Sequence, residues 1–213
     1  MVNIFREVDE DLRREHYEKL WRRYGNYVIG AAVAAVVVTA AIVGWRDYQT
    51  RQRLAQGDSF ARAVTLATAG QRRAAADAFE SLAEEAHPGY ATLARFNVAA
   101  LRAERGDLAG AVAIYDELAE TAVNETLRSL AVILSVSYSL ENADPAELSE
   151  RLAPLTAEDN PWRYSALELT ALLSGRTGDK ERERDIFTRL FEDPGAPAGI
   201  RARASEMLKI LGG

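Results

Sequence analysis

From Val28 to Gly44 the chain reads VIGAAVAAVVVTAAIVG, 17 residues without a charge and with one hydroxyl, that of Thr39. A helix over this stretch rises about 25 Å at ~1.5 Å per residue, slightly less than a ~30 Å hydrocarbon core, so the flanks must complete a crossing. Trp21, Tyr24 and Tyr27 on one side and Trp45 and Tyr48 on the other are aromatics suited to a membrane interface, with Arg22, Arg23 and Arg46 beside them. The pattern predicts a transmembrane helix over 27–45. A core helix would show a polar stripe, and here only Thr39 is polar, with a hydroxyl able to bond its own backbone. A cleaved signal sequence fits less well: the run exceeds the usual ~7–15 residues, and no clean A-x-A site follows it before Trp45. An uncleaved anchor is expected. Gly30/Ala34 and Ala40/Gly44 have the spacing of a helix-packing seam, which so alanine-rich a segment also produces by chance.

Before the span, residues 1–26 read as a helical arm. Asp9 is a candidate N-cap, and Phe5, Val8, Leu12 and Leu20 recur at roughly helical spacing. The arm lies on a membrane surface or stands in solvent; the pattern fits both. Residues 7–26 carry five Lys/Arg and residues 45–64 carry four, a small bias toward a cytoplasmic N-terminus.

Beyond the span the pattern repeats. GQRRAAADAFESL from Gly70, GDLAGAVAIYDEL from Gly106, ADPAELSERLAPL from Ala143 and GDKERERDIFTRL from Gly178 start 36, 37 and 35 residues apart. Nine positions after each start stands Phe79, Tyr115, Leu152 or Phe187, and twelve after stands Leu82, Leu118, Leu155 or Leu190. That spacing sets a bulky pair on one helix face in every unit. Seven positions before the starts lie Ala63, Ala99, Val136 and Ala171, slim enough for a neighbouring helix to approach closely. Pro88, Glu125, Pro161 and Pro197 each suit the first residue of a helix, with Asn124 and Asn160 as N-caps. Each unit is therefore a helical hairpin, and LAVILSVSYSL, the one β-branched run, falls in a first-helix slot and is expected to be helical. Pro197 to Leu211 reads as a capping helix over the open end of the stack.

The pattern resembles the tetratricopeptide repeat, most clearly at Gly106, Asp107, Ala111, Tyr115 and Leu118. Glu183 departs from it, standing where the family has a small residue, and the third unit lacks the turn glycine. The expected fold is all-α: a transmembrane helix, then a right-handed tetratricopeptide-like superhelix of about four hairpins and a capping helix.

Charge and composition narrow the chemistry. Of the formal net charge of −6, none comes from residues 1–27, which hold six basic and six acidic residues; the rest has 20 against 26. That mildly acidic surface offers no footprint for nucleic acid. With no cysteine there is no disulfide or thiolate chemistry. His16 and His87 are separated by the apolar span, the acid pairs Glu84/Glu85 and Glu158/Asp159 sit at helix ends, and no phosphate-cradling glycine motif occurs. No catalytic, cofactor-binding or metal site is expected, and no enzyme. Stacked hairpins instead offer a concave face to an extended or helical polypeptide, with Arg62, Arg95, Asn97, Arg102 and Arg163 as candidate contacts.

The LWRRYG entry to the span, the GWRDYQ exit and the order of arm, span and degenerate repeats resemble the bacterial YfgM-type family, ancillary subunits of the SecYEG translocon. The resemblance implies an inner-membrane anchor with a cytoplasmic arm (1–26), a span (27–45) and a periplasmic repeat domain (46–213). It also implies association with SecYEG and a periplasmic chaperone, and a chaperone-like role toward newly translocated, non-native chains. The repeats also resemble the periplasmic domain of a cell-division coordinator, which implies instead a scaffold for envelope proteins.

Overall fold

In the computed structural model the backbone of residues 3–212 is described, with side chains from residue 21 onward except at 25 and 28. The described chain is helical, with no strand, and separates into two compact units, residues 1–55 and 56–213.

One helix, α1 (Asn3–Thr68), runs through the arm, the apolar stretch and the start of the repeats. It begins ahead of Asp9, which therefore lies inside the helix instead of capping it. Neither Gly25, Gly30 nor Gly44 breaks it, and at Gly30 and Gly44 nothing within the chain stands close to where a Cβ would be. Thr39 Oγ1 donates to the Ala35 carbonyl at 2.8 Å, so the one polar side chain of the stretch is satisfied within its own helix.

Residues 56–68 of α1 form the first hairpin with α2 (Arg72–Glu85). The second pairs α3 (Pro88–Glu104) with α4 (Leu108–Thr121), the third α5 (Glu125–Ser139) with α6 (Pro145–Leu152), and the fourth α7 (Arg163–Arg176) with α8 (Lys180–Glu192). Helix α9 (Ala198–Ile210) closes the stack. The bulky pairs Phe79/Leu82, Tyr115/Leu118, Leu152/Leu155 and Phe187/Leu190 are all buried, and Ala63, Ala99, Val136 and Ala171 are fully so. Each buried bulky side chain contributes roughly 1.5–3 kcal/mol, so the recurring positions are the ones that hold the hairpins shut. In the first two units the pair extends to an aromatic contact, Phe60 with Phe79 at 5.5 Å and Phe96 with Tyr115 at 6.0 Å between ring centroids.

Three of the turns follow one device. Gly70, Gly106 and Gly178 have φ of 76°, 87° and 83°, the left-handed conformation that ends a helix and that other residues adopt at a cost. Asp107 and Asp179 then cap the next helix through Oδ1, accepting from Gly110 N at 2.9 Å and Arg182 N at 3.1 Å. The third unit has no such glycine. Its turn leaves the carbonyls of Leu140 and Ala143 to Arg176 of the following unit, whose Nη1 donates to both.

Two helix starts differ from expectation. Asn124 caps α5 as anticipated, accepting from Leu127 N at 2.9 Å. Asn160 instead accepts from Trp162 N at 2.8 Å, a tight turn that postpones α7 to Arg163, so Pro161 lies outside that helix. The preceding α6 is short as well: it ends at Leu152 and continues only as a four-residue 3-10 helix, Ala153–Thr156, around Pro154. Pro197 is the N-cap of α9, one residue ahead of its first turn.

Further contacts tie the second unit to the third, the third to the fourth and the fourth to α9. Asp116 of α4 accepts from Ser135 of α5 at 2.5 Å and from Arg151 of α6 at 2.6 Å. Trp162 Nε1 donates to the Thr126 carbonyl at 2.9 Å, and Arg203 of α9 grips Glu168 of α7 with two bonds of 2.6 and 2.7 Å.

Candidate binding surface

The first helix of each hairpin turns one side toward its partner and leaves another free. On α3 the free side carries Leu93, Asn97, Ala100 and Glu104, spaced four, three and four residues apart, while Ala94, Val98, Ala99 and Leu101 between them are buried. Val64 on α1 and Ser137 on α5 hold equivalent places, whereas Leu134, at the place of Asn97, packs against the core of the second hairpin. Apart from Glu104 at its end, this strip is uncharged and built of small or aliphatic side chains, which let another backbone come close.

The five polar candidates do not converge on the strip. Arg62 Nη2 donates to Ser59 Oγ at 2.8 Å, on its own helix. Asn97 does lie on the strip, but its Nδ2 is committed to the Leu93 carbonyl at 2.8 Å. Arg95 pairs with Glu117 of α4, and Arg102 lies 3.9 Å from the Asp107 carboxylate. These two share a cavity of about 330 Å³ with Val98 and Ile114, flanked by Glu80 and Glu84 of α2. Arg163 stands apart, its guanidinium 5.3 Å from the Tyr164 ring centroid, beside a second cavity of about 260 Å³ between the 3-10 helix and α8.

That second cavity is lined by residues the repeat pattern alone does not single out: Glu158, Tyr164, Arg189 and Asp193. Tyr164 Oη donates to Asp193 Oδ2 at 3.1 Å, and Gly195 N donates to Asp193 Oδ1 at 2.8 Å. Desolvation first, and then this hydrogen bond and the nearby Asp193 charge, raise the Tyr164 phenol above its ordinary pKa and keep it a donor. The signal that marks the place is Pro154, which cuts the second helix of the third unit short.

In the N-terminal unit the five interface aromatics all face outward: Trp21, Tyr24, Tyr27, Trp45 and Tyr48. Ile29 through Val43 are exposed as well, and no part of the apolar window is buried within the chain. An exposed apolar surface of this extent needs a cover. By length and composition the helix can cross a membrane.

The profile of the tetratricopeptide repeat-like domain matches residues 18–164, more than half of the chain. The chain belongs to this family. No curated protein and no solved structure matches it. The family match takes in the apolar stretch and the first three hairpins, and the fourth, beyond it, repeats their buried positions at Ala171, Phe187 and Leu190. A tetratricopeptide repeat-like domain is a protein-interaction module, so the partners to look for are polypeptides. Among the described residues no three His, Asp or Glu come together as a metal site.

Proposed function

We propose that this chain is a membrane-tethered, polypeptide-binding module that binds without catalysing. The observation that carries the reading is that one chain holds both an unburied apolar helix and a repeat stack whose first-helix strip is small and uncharged. Residues 1–26 lie in the cytoplasm, 27–45 cross a bacterial inner membrane and 46–213 stand in the periplasm, with Trp21, Tyr24, Tyr27, Trp45 and Tyr48 at the two interfaces. The similarity of the span's entry and exit motifs to YfgM-type proteins supports an ancillary role at the SecYEG translocon, with a periplasmic chaperone as partner. There the strip holds non-native segments as they emerge, Asn97 contributing at its centre.

Photo-crosslinking in cells, with the probe at position 97 or 100, tests this. Capture of translocon subunits and short-lived nascent chains is expected. Capture of a fixed set of folded wall or division proteins would replace the reading with that of an envelope scaffold. Protease protection of tagged ends checks the orientation: the repeats should be digested only after the outer membrane is opened.

A further inference from the structure

The cavity beside Arg163 lies at the place that the cavity of Arg95 and Arg102 takes two units earlier: Ile186 and Leu167 hold here the positions of Ile114 and Arg95 there, and beside it α6 stops early. Between α4 and α6 the corresponding space is closed by the Arg151–Asp116–Ser135 cluster. Between the 3-10 helix and α8, Thr156 and Glu158 form one wall and Arg189 and Asp193 the other, over a floor of Ile186, Leu190 and Leu167.

The charges of this cavity are already sorted. Asp193 is satisfied by neutral donors, the Tyr164 hydroxyl and the Gly195 amide, and draws on no arginine. Arg189 is paired with Asp185 on its own helix. The Arg163 guanidinium stands 5.3 Å from the Tyr164 ring centroid, and it forms no ion pair among the described residues. A cation held in place by an aromatic face, with an apolar floor beside it, is set up for a planar anion attached to an aliphatic group. Glu158 lines the cavity as well, and a carboxylate there can accept from a main-chain amide. A volume of about 260 Å³ lies below the ~300–1,000 Å³ of sites that enclose a small molecule, and suits a single residue.

We infer that this cavity binds the carboxy-terminal residue of a polypeptide, taking its terminal carboxylate on Arg163 and its aliphatic side chain on Leu167, Ile186 and Leu190. The site lies away from the first-helix strip, so it stands whether the strip serves a translocon or a scaffold. The cavity opens to solvent, which leaves the chain a way out and distinguishes a chain end from a trapped free amino acid.

Saturation-transfer NMR on the full chain in detergent micelles, with empty micelles as control, tests it using three probes: N-acetyl-leucine, N-acetyl-leucinamide and leucine. N-acetyl-leucine should show saturable transfer to its methyl groups, with the amide at least about tenfold weaker for want of the carboxylate. Arg163→Gln should weaken N-acetyl-leucine by a similar factor while Arg62→Gln leaves it unchanged, both variants melting as the parent does. Equal transfer to acid and amide, or none to either, would overturn the inference. So would leucine binding tenfold tighter than N-acetyl-leucine, which would make the site one for a free amino acid.

Discussion

The second and fourth hairpins turn in the same way and close on the same kind of pair, yet they solve one close contact in opposite ways. In the second, Ala103 of α3 and Ala111 of α4 hold the places of close approach, and Ala111 is fully buried. In the fourth the same two places hold Gly175 and Glu183. A Cβ on Gly175 would fall 2.5 Å from Glu183 Oε1, and Glu183, buried to 3% exposure, reaches past it to Lys180 Nζ at 2.9 Å. A carboxylate thus occupies a place that a small residue fills elsewhere, and the helix opposite gives up its side chain to make room. The departure of Glu183 from the family pattern is one half of an exchange. The comparison teaches that the repeat conserves a volume shared between two helices, and the residue at either place alone does not define it.

The largest test removes what both hairpins share. Tyr115→Ala and Phe187→Ala each empty a fully buried ring position, and each should cost about 3–5 kcal/mol. The measurement is the urea midpoint of the full chain in micelles, followed by Trp162 emission with Trp21 and Trp45 replaced by Phe. A loss below about 1 kcal/mol at either site would mean that the bulky pair does not hold its hairpin.

Alkali separates the two. Burial, and then the neighbouring Tyr138, push the Tyr115 phenol up to about 12; Phe187 has nothing to ionise. A pKa raised from about 10 in the unfolded chain means that the native state holds its proton longer, so stability present below pH 10 is lost as pH rises toward 12, by about 2–3 kcal/mol at most. Tyr115→Phe should remove that part of the alkaline loss, while tyrosines elsewhere keep theirs. If the parent and Tyr115→Phe lose stability in parallel between pH 10 and 12, the hydroxyl is not shielded as described.

The exchange itself is broken by Gly175→Ala, expected to destabilise by about 1–3 kcal/mol because the new methyl meets a buried carboxylate. Adding Glu183→Ala rebuilds the alanine pair of the second hairpin and should recover most of the loss. A double variant no better than Gly175→Ala would show that the two residues do not share the space. In the turns, Gly106→Ala and Gly178→Ala should cost roughly 1–2 kcal/mol each, from backbone strain alone, since nothing stands near either position. At the third turn no residue has a positive φ, so Ala143→Gly should change stability by no more than roughly 1 kcal/mol.

Much of this architecture was legible before any coordinates. Repetition of Phe79, Tyr115, Leu152 and Phe187 at a constant offset from the turns marks the hairpins because burial at helical spacing leaves a periodic trace. The apolar stretch was legible for the opposite reason, its lack of a polar side. What escaped was irregular. Pro154 shortens one helix, and a single occurrence has no period to reveal it. The strip's polar candidates escaped as well: an arginine on a first helix can turn toward the second helices as Arg95 does, and composition does not distinguish the two directions. Asp9 looked like a cap because capping residues are recognised locally, whereas α1 is continuous through it.

The smallest effect expected concerns how the fourth hairpin meets α9. Three residues before the slim alanine of each first helix, the second hairpin has Phe96, in contact with Tyr115, and the fourth has Glu168, in contact with Arg203. An aromatic there packs against its own hairpin, whereas a carboxylate reaches out to the capping helix. Glu168 is largely covered and Arg203 mostly exposed, so water screens the pair on one side. A double-mutant cycle on Glu168→Gln and Arg203→Gln should give a coupling of about 0.5–1 kcal/mol, falling as salt is raised toward 1 M. The fork geometry favours the upper end, because two parallel bonds hold the guanidinium in a single orientation. Zero coupling at low salt would mean that α9 is held without this pair, by Ile200 and Ala204 buried against the fourth hairpin, by Met207, Leu208 and Leu211 packed beside them, and by the bond from Arg184 to the Leu211 carbonyl.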